Sequence, residues 1–168
     1  MSTDHLSARL KELLLREPRL TLAAAESMTA GHVQARIASI SGASGYFLGG
    51  ITAYSLEQKV KRLGVNRAHA RRVNCVSQRV AVEMAAGAAE LFGADLAVAT
   101  TGYAEPSPAD SVAVPMAWWA ICHRQRGGKL AVISGQVEVP QASRTEVQVR
   151  VAETVLRELA AYLREWHH

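Results

Sequence analysis

The sequence predicts an α/β fold: a three-layer α/β/α sandwich around a mixed, mostly parallel sheet of about five strands. Three observations predict it. Short apolar runs alternate with amphipathic stretches of helical spacing along the first half of the chain, the pattern of strands packed between helices. Two later runs, residues 112–122 and 129–139, flank Arg126-Gly127-Gly128, a hairpin signal, so the sheet is mixed. A long stretch with apolar residues at four-residue spacing closes the chain and supplies a further covering helix. With 168 residues, no internal repeat and no linker-like tract, residues 1–168 read as one domain.

The elements follow in order. Leu6, Leu10, Leu13 and Leu14 have helical spacing, with Asp4 as a cap and Pro18 as a stop. Residues 20–25 are a short buried strand. A helix over residues 29–40 then turns Val33, Ile37 and Ile40 to the core. Ser41-Gly42-Ala43-Ser44-Gly45 is a loop by composition. Residues 46–54 read as a strand, and Gly49-Gly50 inside it marks a bulge or a close backbone approach. Ser55 caps a short helix over residues 56–63, which Gly64 ends. Residues 65–75 read as irregular. Ser77 caps a helix with Val80, Met84, Ala88 and Leu91 on one face, and Gly93 follows it. Residues 95–101 are a buried strand and residues 102–111 a loop. After the hairpin, Ser143 and Glu146 form a capping box, with Val147, Val151, Val155, Leu159 and Leu163 along one stripe.

Composition narrows the class. Hydrophobic residues make up 49% and aromatics only 5%, which suits close packing of small side chains and excludes disorder. No apolar run reaches membrane-spanning length, and the N-terminal stretch lacks a signal-peptide core, so a cytoplasmic protein with no membrane partner is expected. Cys75 and Cys122 lack metal-site spacing and read as reduced core residues. Neither metal nor cofactor is implied. The net charge of +4 is concentrated in Lys59, Lys61, Arg62, Arg67, Arg71 and Arg72. A run of this kind ordinarily forms a solvated face. No aromatic residues interleave with it as a base-stacking surface needs, so nucleic acid is not the expected partner.

The chemistry centres on Glu26-Ser27, where the first strand turns into a helix. A serine there ordinarily caps the helix. The alternative is a nucleophile, which needs a base and donors for an oxyanion. His5, His32, His69, His123, His167 and His168 are all poorly placed for the first need. A lysine base remains, and Lys59 follows the neighbouring strand. It is either an ordinary exposed helix lysine or a desolvated one able to accept a proton. Trp118 and Trp119 are adjacent in a strand and face opposite ways, one toward the core.

Several stretches, in order, resemble one family. Glu26-Ser27-Met28-Thr29-Ala30-Gly31 is similar to the Glu-Ser-Cys-Thr-Gly-Gly signature of the CinA C-terminal domain family, the nicotinamide mononucleotide amidases. Ser41 to Phe47, Thr52 to Lys59, Leu63-Gly64-Val65, Val76-Ser77 with the following helix, and Thr101-Gly102-Tyr103-Ala104-Glu105-Pro106 resemble its later segments. The resemblance implies hydrolysis of the amide of nicotinamide mononucleotide to nicotinic acid mononucleotide and ammonia, without a metal or cofactor. It implies Ser27 as nucleophile and Lys59 as base. Glu26, Thr29, Gly31, Tyr54, Thr101 and Gly102 would form the substrate side, and Arg144 matches an arginine of the phosphate-side segment. It further implies a small-molecule nucleotide partner and a homo-oligomer. Full-length relatives carry an additional N-terminal domain.

Three departures stand out. The family's glycine-rich segment after the Thr-Gly motif reads Glu105-Pro106-Ser107-Pro108-Ala109-Asp110, which removes N–H donors and adds two carboxylates. Ala142-Ser143-Arg144 stands for Gly-Asp-Arg, and Ala30 stands for a glycine. The alternative function is therefore an inactive or substrate-shifted relative that binds a small ligand or a protein.

Overall fold

The computed structural model describes residues 3–167, with the side chains of residues 5–125 and 127–167. The chain runs α1 (Thr3–Leu15), β1 (Leu22–Glu26), α2 (His32–Ala38), β2 (Phe47–Thr52), α3 (Leu56–Leu63), α4 (Arg67–Arg72), α5 (Gln78–Phe92), β3 (Leu96–Tyr103), β4 (Met116–Arg124), β5 (Leu130–Glu138) and α6 (Arg144–Trp166). The sheet order is β2-β1-β3-β4-β5. Strand β1 is parallel to both β2 and β3, while β4 is antiparallel to β3 and to β5. Only β4 therefore runs against the other four strands.

Period-two alternation sorts the side chains into layers. Leu22 and Ala24 of β1 join Leu96, Val98, Trp119 and Ile121 against α1, α2 and α6. Ala23 and Ala25 join Ala97, Ala99, Ala120 and Cys122 against α3, α4 and α5. This is the expected three-layer sandwich. Helix α6 buries Val147, Val151, Val155, Leu159 and Leu163 and keeps both halves of its capping box. Each such fully buried side chain is worth about 1.5–3 kcal/mol over an exposed one. Trp119 packs into the first layer and Trp118 against the second, as adjacent strand residues must. No helix of the described residues is long and apolar enough to cross a membrane.

Several local expectations need correction. Helix α1 begins at Thr3, so Asp4 falls inside it, and the Asp4 side chain lies outside the described residues, as does His168. Helix α2 starts later than expected, at His32, because Ala30 and Gly31 take positive φ of 49° and 104°. Residues 67–72 form α4, capped by the Asn66 side chain on the His69 N–H. That helix buries only Ala70, so it leaves no apolar period to read. Leu91 is exposed, and the half-buried Phe92 packs against the core instead. Strand β4 begins at Met116, past the prolines, rather than at Val112. Cys122 is a core residue as expected, but Cys75 is only half-buried.

The glycine pair behaves as expected. The β1–β2 register shifts between Leu22 and Ala23, so Leu48 is bulged, and a Cβ on Gly49 would stand 2.8 Å from the Phe92 ring. A harder constraint holds α3 on α5. A Cβ on Gly87 would lie 2.1 Å from the Leu63 carbonyl oxygen. Backbone offers no rotamer to move aside. Gly87→Ala is therefore expected to cost about 1–3 kcal/mol or more by overpacking. A shift in denaturation midpoint of that size checks it, and an unchanged midpoint would show that the two helices separate freely.

Candidate functional site

The chain leaves β1 for β2 on one side and reaches β3 on the other. The carboxyl ends of these parallel strands therefore open a crevice at the point where the strand order reverses. Ser27 follows β1 directly. Its N–H donates to the Thr100 carbonyl at 3.1 Å, which ties it to β3. Alternation turns Glu26 toward α2, with Leu22 and Ala24. It turns Ser27 to the opposite layer, the one that holds α3.

Glu26 is fully buried. Its carboxylate accepts from the Thr29 hydroxyl at 2.6 Å and from the N–H groups of Gly31 (2.9 Å), Val33 (3.1 Å) and Gln34 (2.9 Å). These are the otherwise unpaired donors that begin α2, so Glu26, not Ser27, caps this helix. The ordinary reading of Ser27 as the cap of this helix is corrected accordingly. Among the described residues, the N–H groups of Met28 and Thr29 in the intervening turn have no acceptor. Ala30 holds a left-handed conformation where a glycine is strain-free, at a cost of about 1 kcal/mol.

Lys59 is the third feature of this turn. It lies on α3, capped by Ser55 through the Gln58 N–H and closed by Gly64. Its side chain is 1% exposed, which rules out an ordinary surface lysine. Nζ donates to Ser27 Oγ at 2.9 Å, to the Ala53 carbonyl at 2.8 Å and to the Tyr54 carbonyl at 2.9 Å. Burial lowers its pKa below the ordinary lysine range, with Cys75 opposing. A neutral amine has two N–H donors and one lone pair. In that neutral form, with both donors kept on the two carbonyls, the lone pair takes the place of the donor on Ser27 Oγ, and the Ser27 hydroxyl donates to it.

Ser27 and Lys59 lie at the floor of a cleft of about 510 Å³, within the range of small-molecule sites. Thr101 and Gly102 line it at the end of β3. The Thr101 hydroxyl donates to the Cys75 carbonyl at 2.7 Å. Gly102 admits β4, since a Cβ there would stand 2.3 Å from the Met116 carbonyl oxygen. Asn74, Cys75 and Tyr103 complete the wall. None of these three was singled out in the sequence as a site residue. Asn74 and Cys75 both hold positive φ, at 47° and 61°. Two successive left-handed non-glycine residues have no compositional signature beyond asparagine's tolerance of that conformation. Burial raises the Cys75 thiol pKa, while neighbouring Lys59 opposes.

The altered loop forms the cleft mouth. Glu105 accepts from Arg144 Nη1 at 2.9 Å, and Arg144 Nη2 donates to the Tyr54 hydroxyl at 2.8 Å. Arg144 thus straps the loop to the segment after β2. Asp110 accepts from the Ser107 hydroxyl at 2.6 Å and from Asn74 at 3.2 Å.

The structure therefore gathers Ser27, Lys59, Tyr54, Thr101, Gly102 and Arg144 around one cleft. It places Glu26, Thr29 and Gly31 behind that cleft, where they build the turn instead of facing a ligand. Thr29 is fully buried, and its hydroxyl also meets Thr100 at 2.7 Å.

The class so defined is an α/β/α domain with a buried serine–lysine pair at the switch point of its sheet. The sequence matches the CinA C-terminal domain over residues 3–163, and the chain belongs to that family. It is 37% identical over 158 residues to a CinA-like protein of Chlorobium limicola, covering 90% of this chain and 35% of that protein. The chain thus spans about a third of the length of that curated relative. Two solved structures have the same fold. A competence-damaged protein (CinA) superfamily protein from Klebsiella pneumoniae matches at TM-score 0.88 and 24% identity, over 99% of this chain and 100% of the other. The competence/damage inducible protein CihA from Agrobacterium tumefaciens matches at TM-score 0.83 and 27% identity, over 98% and 99%.

Proposed function

We propose that this domain is a metal-independent amide hydrolase of the nicotinamide mononucleotide amidase kind, acting through Ser27 and Lys59. The observation that carries the reading is the 2.9 Å bond between Lys59 Nζ and Ser27 Oγ in a buried setting. Among the described residues, no histidine lines the cleft to compete as base. The resemblance to the nicotinamide mononucleotide amidases supplies the bond to be cut.

In this mechanism Ser27 Oγ attacks the carboxamide carbon while its proton passes to neutral Lys59. The oxygen of the tetrahedral intermediate takes the negative charge on the side of the Met28 N–H, an unpaired donor of the turn on a residue that lines the cleft. As the C–N bond breaks, Lys59 returns the proton to the leaving nitrogen, and ammonia departs. A water then enters. Lys59 takes its proton, the hydroxyl adds to the acyl carbon, and Ser27 leaves with the proton restored. The product is the carboxylic acid. The resemblance also gives a homo-oligomeric, cytoplasmic setting to the same reading.

The test is ammonia release from nicotinamide mononucleotide by the purified protein. Ser27→Ala is expected to lower the rate by about 10³-fold or more while leaving the melting temperature close to that of the wild type. Turnover unchanged in that variant removes the mechanism. The Glu105–Arg144 pair favours a second reading, a binding module, which ligand-induced thermal stabilisation without ammonia release would support.

A further inference from the structure

The mouth of the cleft has an unusual charge balance for a site that would hold a phosphate. Among the described residues, its cations are Lys59 and Arg144, and its carboxylates are Glu105 and Asp110. Lys59 must be neutral to act as a base, so one guanidinium faces two carboxylates. That guanidinium is also occupied. One nitrogen is paired with Glu105 and another serves the Tyr54 hydroxyl. Asp110 is held in place by Ser107 and Asn74, so its charge is fixed at the wall. Arg71 and Arg72 line a neighbouring hollow instead, and Asp110 is shared between the two. Pro106, which lines the cleft, has no N–H to offer an anion.

We infer that the cleft selects an amide carried on a cationic or neutral aromatic ring without a phosphate, and disfavours the corresponding nucleotide. This rests on the amide-hydrolase reading and refines its substrate. An N-glycosylated nicotinamide carries one positive charge on its ring, and its 5′-phosphate reverses the net charge. The cation matches a mouth with excess carboxylate, and the Tyr54 and Tyr103 side chains line the same cleft. The phosphorylated form has to displace Glu105 from Arg144 and then lie beside the carboxylate it displaced. Glu105 is therefore the specificity-determining residue. It occupies the place an anionic substituent would take.

The experiment compares nicotinamide riboside with nicotinamide mononucleotide in two readouts. One is ammonia release by the wild type and by Glu105→Gln. The other is binding to Ser27→Ala, alone and combined with Glu105→Gln, which reports affinity without turnover. The expected result is a wild-type preference for the riboside of about fivefold or more, the scale of one partly screened charge. Glu105→Gln should shift that ratio toward the nucleotide by a similar factor, and added salt should narrow it. Glu105 is exposed, so its replacement leaves the core intact. A wild-type preference for the nucleotide, or a ratio that Glu105→Gln leaves unmoved, overturns the selectivity even if both amides are hydrolysed. If neither compound binds and neither is turned over, the amide-hydrolase reading falls and takes the selectivity with it.

Discussion

Lys59→Met is expected to lower amide turnover by about 10³-fold or more and to abolish the alkaline rise in rate that the wild type should show. The sign follows from the pair. Lys59 works only when unprotonated, so kcat/KM rises as pH rises through its pKa. Burial depresses that pKa, so the rise is centred below the ordinary lysine value of about 10.4. The same shift appears in stability. Between the depressed folded value and the ordinary unfolded one, the unfolded chain holds the extra proton, so stability increases with pH across that window. Methionine keeps much of the volume but cannot titrate, so this slope should vanish from a pH series of denaturation midpoints. A variant that retains the alkaline limb in either readout would show that another group sets it. The Ala53 and Tyr54 carbonyls lose a donor in this variant, so the midpoint at a single pH is not diagnostic, whereas the slope is.

Glu26→Ala should produce the largest loss of stability, about 3 kcal/mol or more. Three main-chain N–H groups and one hydroxyl share this buried carboxylate, and removing it leaves buried donors without an acceptor. Alanine also removes the negative charge from the start of α2. Activity should fall as well, because Ser27 is the next residue and its orientation follows from the turn. Glu26→Gln should be intermediate, since one oxygen persists while the new amide faces N–H donors. Chemical denaturation of the three proteins gives the order. Equal stability of Glu26→Ala and wild type would mean that the start of α2 finds other acceptors.

How far the sequence carries these conclusions differs from element to element. The layers were legible because the strands are short and alternate cleanly, and because α6 announces itself by a capping box and an unbroken stripe. Helix α4 was not, since a six-residue helix that buries only Ala70 has no period. Ser27 and Lys59 were named on the order of motifs. Their contact depends on the length of β2, on the Ser55 cap and on Gly87, features scattered over much of the chain. The family resemblance puts Glu26 on the substrate side. Strand alternation argues the reverse, since consecutive residues at a strand end point to opposite layers. Asn74 and Cys75 were invisible because a left-handed corner made of ordinary residues has no distinctive composition. The role of Glu105 was half legible. Its charge was evident, but Arg144 as its partner comes from the far end of the chain.

The burial of Lys59 has one further consequence. Among the described residues, no neighbouring cation lowers its pKa; the dryness of its surroundings does. Any disturbance that wets this corner, such as an eased α3 or a loosened turn at Ser27, raises the amine's pKa back toward the ordinary lysine range and leaves less of it free to act as a base. Reactivity here is a measure of how tightly the end of the sheet is sealed. Distant mutations that loosen the seal should therefore act on the rate first through its pH profile and only later through unfolding.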